Sequence, residues 1–133
     1  MIIDGEKCVM GRIASLAAKT ALKGETVEIY NAPKIIITGN KKSIMERQKL
    51  KQSFRDQAKP SKSPHYPRKP DLFVKRAIRT MLPWRTQRGR EAFRKIKVYM
   101  DAPKKEAIKK FEMKKDITYM TIGQICKSLG WKG

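Results

Sequence analysis

The chain has 133 residues, with 32 Lys and Arg against 12 Asp and Glu, a formal net charge of +20 and a pI near 10.3. That length fits one domain, and an excess of one sign this large repels itself in the free state and seeks a polyanion. Two distant cysteines, Cys8 and Cys126, with one histidine leave too few ligands for a structural zinc site, and no apolar run is long enough to span a bilayer.

Two cysteines far apart, with no Cys-x-x-Cys spacing, fit a reduced, intracellular context. Met1 to Glu6 turns acidic too early for a signal peptide. Ile2 and Ile3 read as a short strand closed by the turn dipeptide Asp4-Gly5. A helix follows from about Gly11 to Lys23, with Ile13, Leu16, Ala17, Thr20 and Ala21 inward and Gly24 as its stop. Thr26 to Tyr30 alternates as a strand. Ile35-Ile36-Ile37 is a continuous apolar run, expected of a strand covered on both faces. Strand, helix, strand, short link and strand predict an α/β layer fold with a largely parallel sheet. Ile96 to Tyr99 brings it to about four strands.

From Asn40 to Lys59 the pattern is polar and helical, with Ile44, Leu50 and Phe54 as packing residues. Lys59 to Pro70 breaks all regularity. Pro60, Pro64, Pro67 and Pro70 are interleaved with Lys62, His65, Tyr66, Arg68 and Lys69, which predicts an extended, mobile arm. Val74, Ile78, Met81 and Leu82 then follow the i, i+4, i+7, i+8 spacing of a packed helix face, and Pro83 ends that helix. Trp84 and Arg85 fall on a tight elbow, and a second short helix begins near Gly89. Beyond Asp101-Ala102-Pro103, Lys104 to Lys115 is charged and weakly helical, with Ile108 and Phe111 as contacts. Ile117 to Met120 is extended. Thr121 and Gln124 fit a capping box for a last helix, with the stripe Ile122, Ile125, Cys126 and Leu129 and a stop at Gly130. Residues 1–103 are therefore expected to form the core and 104–133 a C-terminal extension.

The charge is uneven. Residues 41–97 hold 19 Lys and Arg against 4 Asp and Glu, a net of +15. Arginine adds planar, bidentate recognition of phosphate to its charge and stacks on bases. Arg76, Arg79, Arg85, Arg88, Arg90, Arg94 and Lys95 crowd the elbow. Asn40, Lys41 and Lys42 sit at a loop, while Arg68 and Lys69 sit on the arm. His65, Tyr66 and Trp84 interleave aromatic surface on which unpaired bases could stack. Trp84 is as well explained by burial under the elbow. Arg12 opens a helix, where the macrodipole disfavours a cation unless an anion is shared there; an ordinary exposed arginine is the other reading.

Catalysis lacks parts. The single histidine lies in a proline-rich arm, so a Ser-His-Asp site would rest on a mobile base. Gly39-Asn40-Lys41-Lys42-Ser43 lacks both the Gly-Lys pair and the upstream glycine of a phosphate loop. The acidic residues show no cluster suited to a divalent ion. No enzyme activity, cofactor, metal or small-molecule substrate is expected.

Met81-Leu82-Pro83, Gly89-Arg90 and Lys97-Val98-Tyr99 resemble the signature of the large-subunit ribosomal protein L-thirteen family. Gly11-Arg12-Ile13-Ala14-Ser15, Asn31-Ala32 and Thr38-Gly39-Asn40 agree in order and spacing across most of residues 1–100. Pro67 to Asp71 looks like the archaeal and eukaryotic branch. The resemblance implies a three-layer α/β/α core and a structural role in the cytoplasmic ribosome. It also implies that the protein binds rRNA during subunit assembly, beside neighbouring large-subunit proteins. It supports Arg12, which lies in a family motif. Composition alone would equally fit a generic DNA-binding protein; a regulatory RNA-binding protein working off the ribosome is the other alternative, for which nothing in the sequence argues.

Overall fold

Ile2–Asp4 forms strand β1, which pairs in parallel with β2 (Val27–Tyr30), placing Ile3 beside Ile29. Helix α1 (Met10–Leu22) makes the crossover between them. Its small residues Ala14, Ala17, Ala18 and Ala21 are buried with Ile13, so the helix lies close on its neighbours, and Gly24 ends it at φ +101. Two more helices, α3 (Pro70–Thr80) and α4 (Gln87–Arg94), precede β4 (Ile96–Val98), which adds in parallel to the other edge of β2. The computed structural model describes residues 1–103, 107 and 117–133. The expected helix at Lys104 to Lys115 therefore lies outside the described residues.

The mixed α/β class and the largely parallel sheet are as expected, but the strands divide between two sheets. The parallel sheet has three strands, in the order β1-β2-β4. Strand β3 (Ile36–Thr38) pairs antiparallel with β5 (Tyr119–Thr121) in a separate two-stranded sheet. A parallel bridge from Val9 to Ile36 links the two parts of the chain. The reason is chain length. A parallel neighbour requires a crossover of about a dozen residues, whereas β2 ends at Tyr30 and β3 begins at Ile36. That short link is turned by Asn31 in the left-handed region (φ 55) and by a 3-10 helix at Ala32–Lys34.

Register sets the core. Ile3, Val27, Ile29 and Ile96 are buried, on the sheet face that meets the helices, while Glu28, Tyr30 and Lys97 alternate to the other face and are partly or fully exposed. Ile13, Val74, Ile78, Ile122 and Cys126 complete the same apolar cluster, and each fully buried isoleucine or valine contributes about 1.5–3 kcal/mol relative to exposure. The C-terminal helix α5 (Ile122–Ser128) thus packs on the chain's own core. Its capping box forms as expected: Gln124 N donates to Thr121 Oγ1, and Thr121 N to Gln124 Oε1, each at 3.2 Å.

Three segments depart from the sequence reading. Helix α2 (Lys41–Ser53) stops well short of Lys59 and buries no residue; Leu50 and Phe54, expected to pack, are 58% and 52% exposed. The next segment is too polar to prolong it, and Phe54 is already extended. Met81 is also exposed, because α3 ends at Thr80 and the chain turns there. Finally, Pro70 is not part of an irregular arm. It is buried as the first residue of α3, where a missing N–H has no consequence.

Candidate nucleic-acid interface

Helix α3 supplies the frame. Val74 and Ile78 anchor it in the core, and Asp71 in its first turn complements the helix dipole. The opposite side carries Lys75, Arg76 and Arg79. The guanidinium of Arg79 lies 4.1 Å from the centre of the Trp84 ring. Trp84 meets Phe93 edge-on, with centroids 5.0 Å apart and planes at 89°. The ammonium of Lys75 sits 5.2 Å from the Phe93 ring centre. Trp84 is therefore half-buried, with one side under Arg79, so both readings of this residue hold in part.

The elbow between α3 and α4 is locked by its backbone. Thr86 donates to the Pro83 carbonyl from its N at 3.0 Å and from its hydroxyl at 2.8 Å. The same hydroxyl accepts from Gly89 N at 3.2 Å, which caps α4. The helix begins at Gln87, two residues before the expected start. Arg85, Arg88, Arg90 and Arg94 are exposed around this corner. Arg88 donates to Leu22 O at 3.3 Å, and Lys95 donates to Gly24 O at 2.9 Å. Both cations thus serve the C-terminal end of α1, whose last carbonyls have no partner within the helix.

The arm is fastened to α3 and α2. Arg76 donates to the His65 carbonyl and lies 4.1 Å from the Tyr66 ring centre. Gln52 donates to Tyr66 O at 3.1 Å, and Asp56 N donates to the buried Ser63 hydroxyl at 2.6 Å. A 3-10 turn spans Pro60–Lys62. These contacts replace the expected free arm. They arise because Arg76, on a rigid helix, reaches both a backbone carbonyl and an aromatic face.

The structure thus joins Tyr66, Arg76, Arg79 and Trp84 along one side of α3. His65, Arg68 and Lys69 are exposed on the arm beside them. Asn40 has a local task, since its side chain accepts from Lys42 N at 3.0 Å and caps α2; Lys41 and Lys42 are exposed in the first turn. Arg12 is exposed in a separate hollow with Gly11, Ser15 and Lys19. The sequence reading missed Phe73, Lys51 and Gln52, which line the space between α2, α3 and the arm. Phe73 lies three residues before Arg76, a spacing that marks a shared helix side.

Charge compensation is sparse. Among the described residues the one ion pair within 4 Å is Lys34 with Glu6, at 3.2 Å. The arginines of the elbow therefore face solvent without a carboxylate partner in that set. The described residues also contain no group of His, Cys, Asp or Glu placed to hold a metal ion, and no helix among them is long and apolar enough to cross a membrane.

Residues 1–105 match a family model described as "Ribosomal protein L13". The chain is 40% identical over 141 residues to "Large ribosomal subunit protein uL13" of Methanopyrus kandleri, across 98% of this chain and 87% of that protein. It is 40% identical to the protein of the same description from Methanocaldococcus jannaschii, across 98% of both chains. Against that of Haloarcula marismortui the identity is 37%, across 98% of this chain and 90% of the other.

Proposed function

The chain belongs to the ribosomal protein L13 family, and we propose from that premise that it is a structural constituent of the large ribosomal subunit, in the cytoplasmic ribosome. It acts by binding and stabilising rRNA during assembly, next to other large-subunit proteins, and it carries out no catalysis. The elbow, with Arg85, Arg88, Arg90 and Arg94, takes phosphates of the RNA backbone. The arm residues His65, Arg68 and Lys69 extend the contact. Recognition comes from RNA shape and phosphate placement more than from base edges.

The observation that carries this reading is the cluster of exposed guanidinium groups on a corner whose backbone is locked at Pro83, Thr86 and Gly89. Like charges concentrated on a rigid surface repel one another, and a polyanion removes that cost. Sedimentation of native lysate through a sucrose gradient in moderately high salt tests it. The chain should migrate with the large subunit and with whole ribosomes. Release into the light fractions would contradict an integral role.

A further inference from the structure

Three hollows adjoin one another, one walled by the arm and the end of α2 and two against α3. One, of about 360 Å³, lies under the arm and includes Arg55, His65 and Arg68. The second, of about 340 Å³, shares Gln52 and Tyr66 with the first and has Phe73 and Lys51 in its wall. The third, of about 470 Å³, shares Arg76 and Thr80 with the second and reaches Arg79 and Trp84. Shared walls make them one groove, running from the arm to the elbow. Its lining contains five Lys or Arg side chains and no Asp or Glu.

We infer that this groove holds a short stretch of unpaired RNA, with bases in the hollows and phosphates on the cationic rim. The inference rests on the rRNA-binding reading and adds a site to it. Each hollow is of a size to take one planar base. Aromatic surface recurs along the groove at Tyr66, Phe73 and Trp84, as base stacking requires. Arg76 and Arg79 each sit over a ring, 4.1 Å from its centre, so both guanidinium groups are already placed on the groove wall before any ligand arrives. Each guanidinium has a second face on which a base can stack. A duplex keeps its bases inside and presents a convex backbone, so it cannot fill such hollows. An apolar peptide helix would require a continuous apolar floor, whereas here cations interrupt it.

Fluorescence anisotropy of the full chain tests the groove, using an unstructured RNA strand of about eight nucleotides and the duplex of the same sequence. The Thr80→Trp variant fills the junction of two hollows without changing charge, at an exposed position. The strand should bind about tenfold more tightly than the duplex, and Thr80→Trp should lose about tenfold for the strand alone. Equal affinity for strand and duplex, or an unchanged Thr80→Trp, would overturn the groove. Should that variant fail to fold by circular dichroism, a 4-thiouridine-bearing strand crosslinked to the unaltered chain decides. Crosslinks at Tyr66, Phe73 or Trp84 support the groove, and crosslinks confined elsewhere reject it. Large-subunit rRNA is measured in parallel. Binding of rRNA without the short strand refutes only the groove, whereas binding of neither refutes the groove and the rRNA reading together.

Discussion

Gly89 lies so close to Pro83 that a Cβ on Gly89 would sit 2.5 Å from the Pro83 carbonyl carbon, and nearer still to its oxygen. The obstacle is backbone held by two hydrogen bonds from Thr86, so it cannot swing aside. Helix α4 can therefore fold back against the end of α3 only with glycine at this point, and that approach sets the angle of the elbow.

Gly89→Ala should destabilise the fold by at least about 1–3 kcal/mol, the usual penalty of overpacking. Gly11→Ala is the contrasting case. Its Cβ would meet nothing within 4 Å, in the first turn of α1, and it should stabilise by up to about 1 kcal/mol through the unfolded chain. Urea denaturation of the two variants should shift the midpoint in opposite directions.

Thr121→Ala removes the oxygen that accepts from Gln124 N. The expected cost is about 1 kcal/mol, within the usual range for a lost N-cap. Helix α5 is short and its Ile122, Ile125 and Cys126 lie in the core, so the loss should appear as a lower cooperative melting temperature. Fraying of the terminus at an unchanged melting temperature would contradict the packing described for α5.

Burial, and then the nearby Asp71 carboxylate, push the Cys126 thiol up to about 11 from an ordinary 9.0. The folded chain holds this proton to higher pH than the unfolded one. Its contribution to stability is complete below about pH 9 and is lost as pH rises toward 11. Denaturation midpoints measured from pH 8 to 11 should fall across that window, and Cys126→Ala should fall less steeply. A thiol reagent at pH 8 should label Cys126 and the equally buried Cys8 only as the protein unfolds.

Much of this architecture is legible in the sequence because it depends on local signals. Gly24 and Gly130 stop helices at positive φ, Thr121 and Gln124 form their box, and Val74 and Ile78 face inward at helical spacing. What the sequence does not disclose depends on distant partners. Nothing local to Ile36–Thr38 says that it will pair with Tyr119–Thr121, more than 80 residues away. Nothing in the proline-rich arm says that Arg76 will fasten it, because that contact depends on how the arm folds back on α3. In the candidate interface the arginines stand out by composition. Which of them hold structure is visible only in the fold: Arg88 and Lys95 bond to the end of α1, and Asn40 caps α2.

The central claim is that exposed cations of the elbow bind rRNA phosphates. Its most direct test is the affinity of the full chain for large-subunit rRNA across salt, beside the variant carrying Arg85→Ala, Arg88→Ala and Arg90→Ala. With about 6–10 phosphates neutralised, the unaltered chain should lose a thousandfold or more in affinity between about 50 and 200 mM salt. The triple variant should keep its fold at a small cost in stability, since all three side chains are exposed and the one bond it loses to the end of α1, from Arg88 to Leu22 O, is a long surface contact of 3.3 Å. It should bind more weakly, with a log–log slope shallower by roughly 2–3. A dissociation constant and slope unchanged by the three substitutions would contradict the claim.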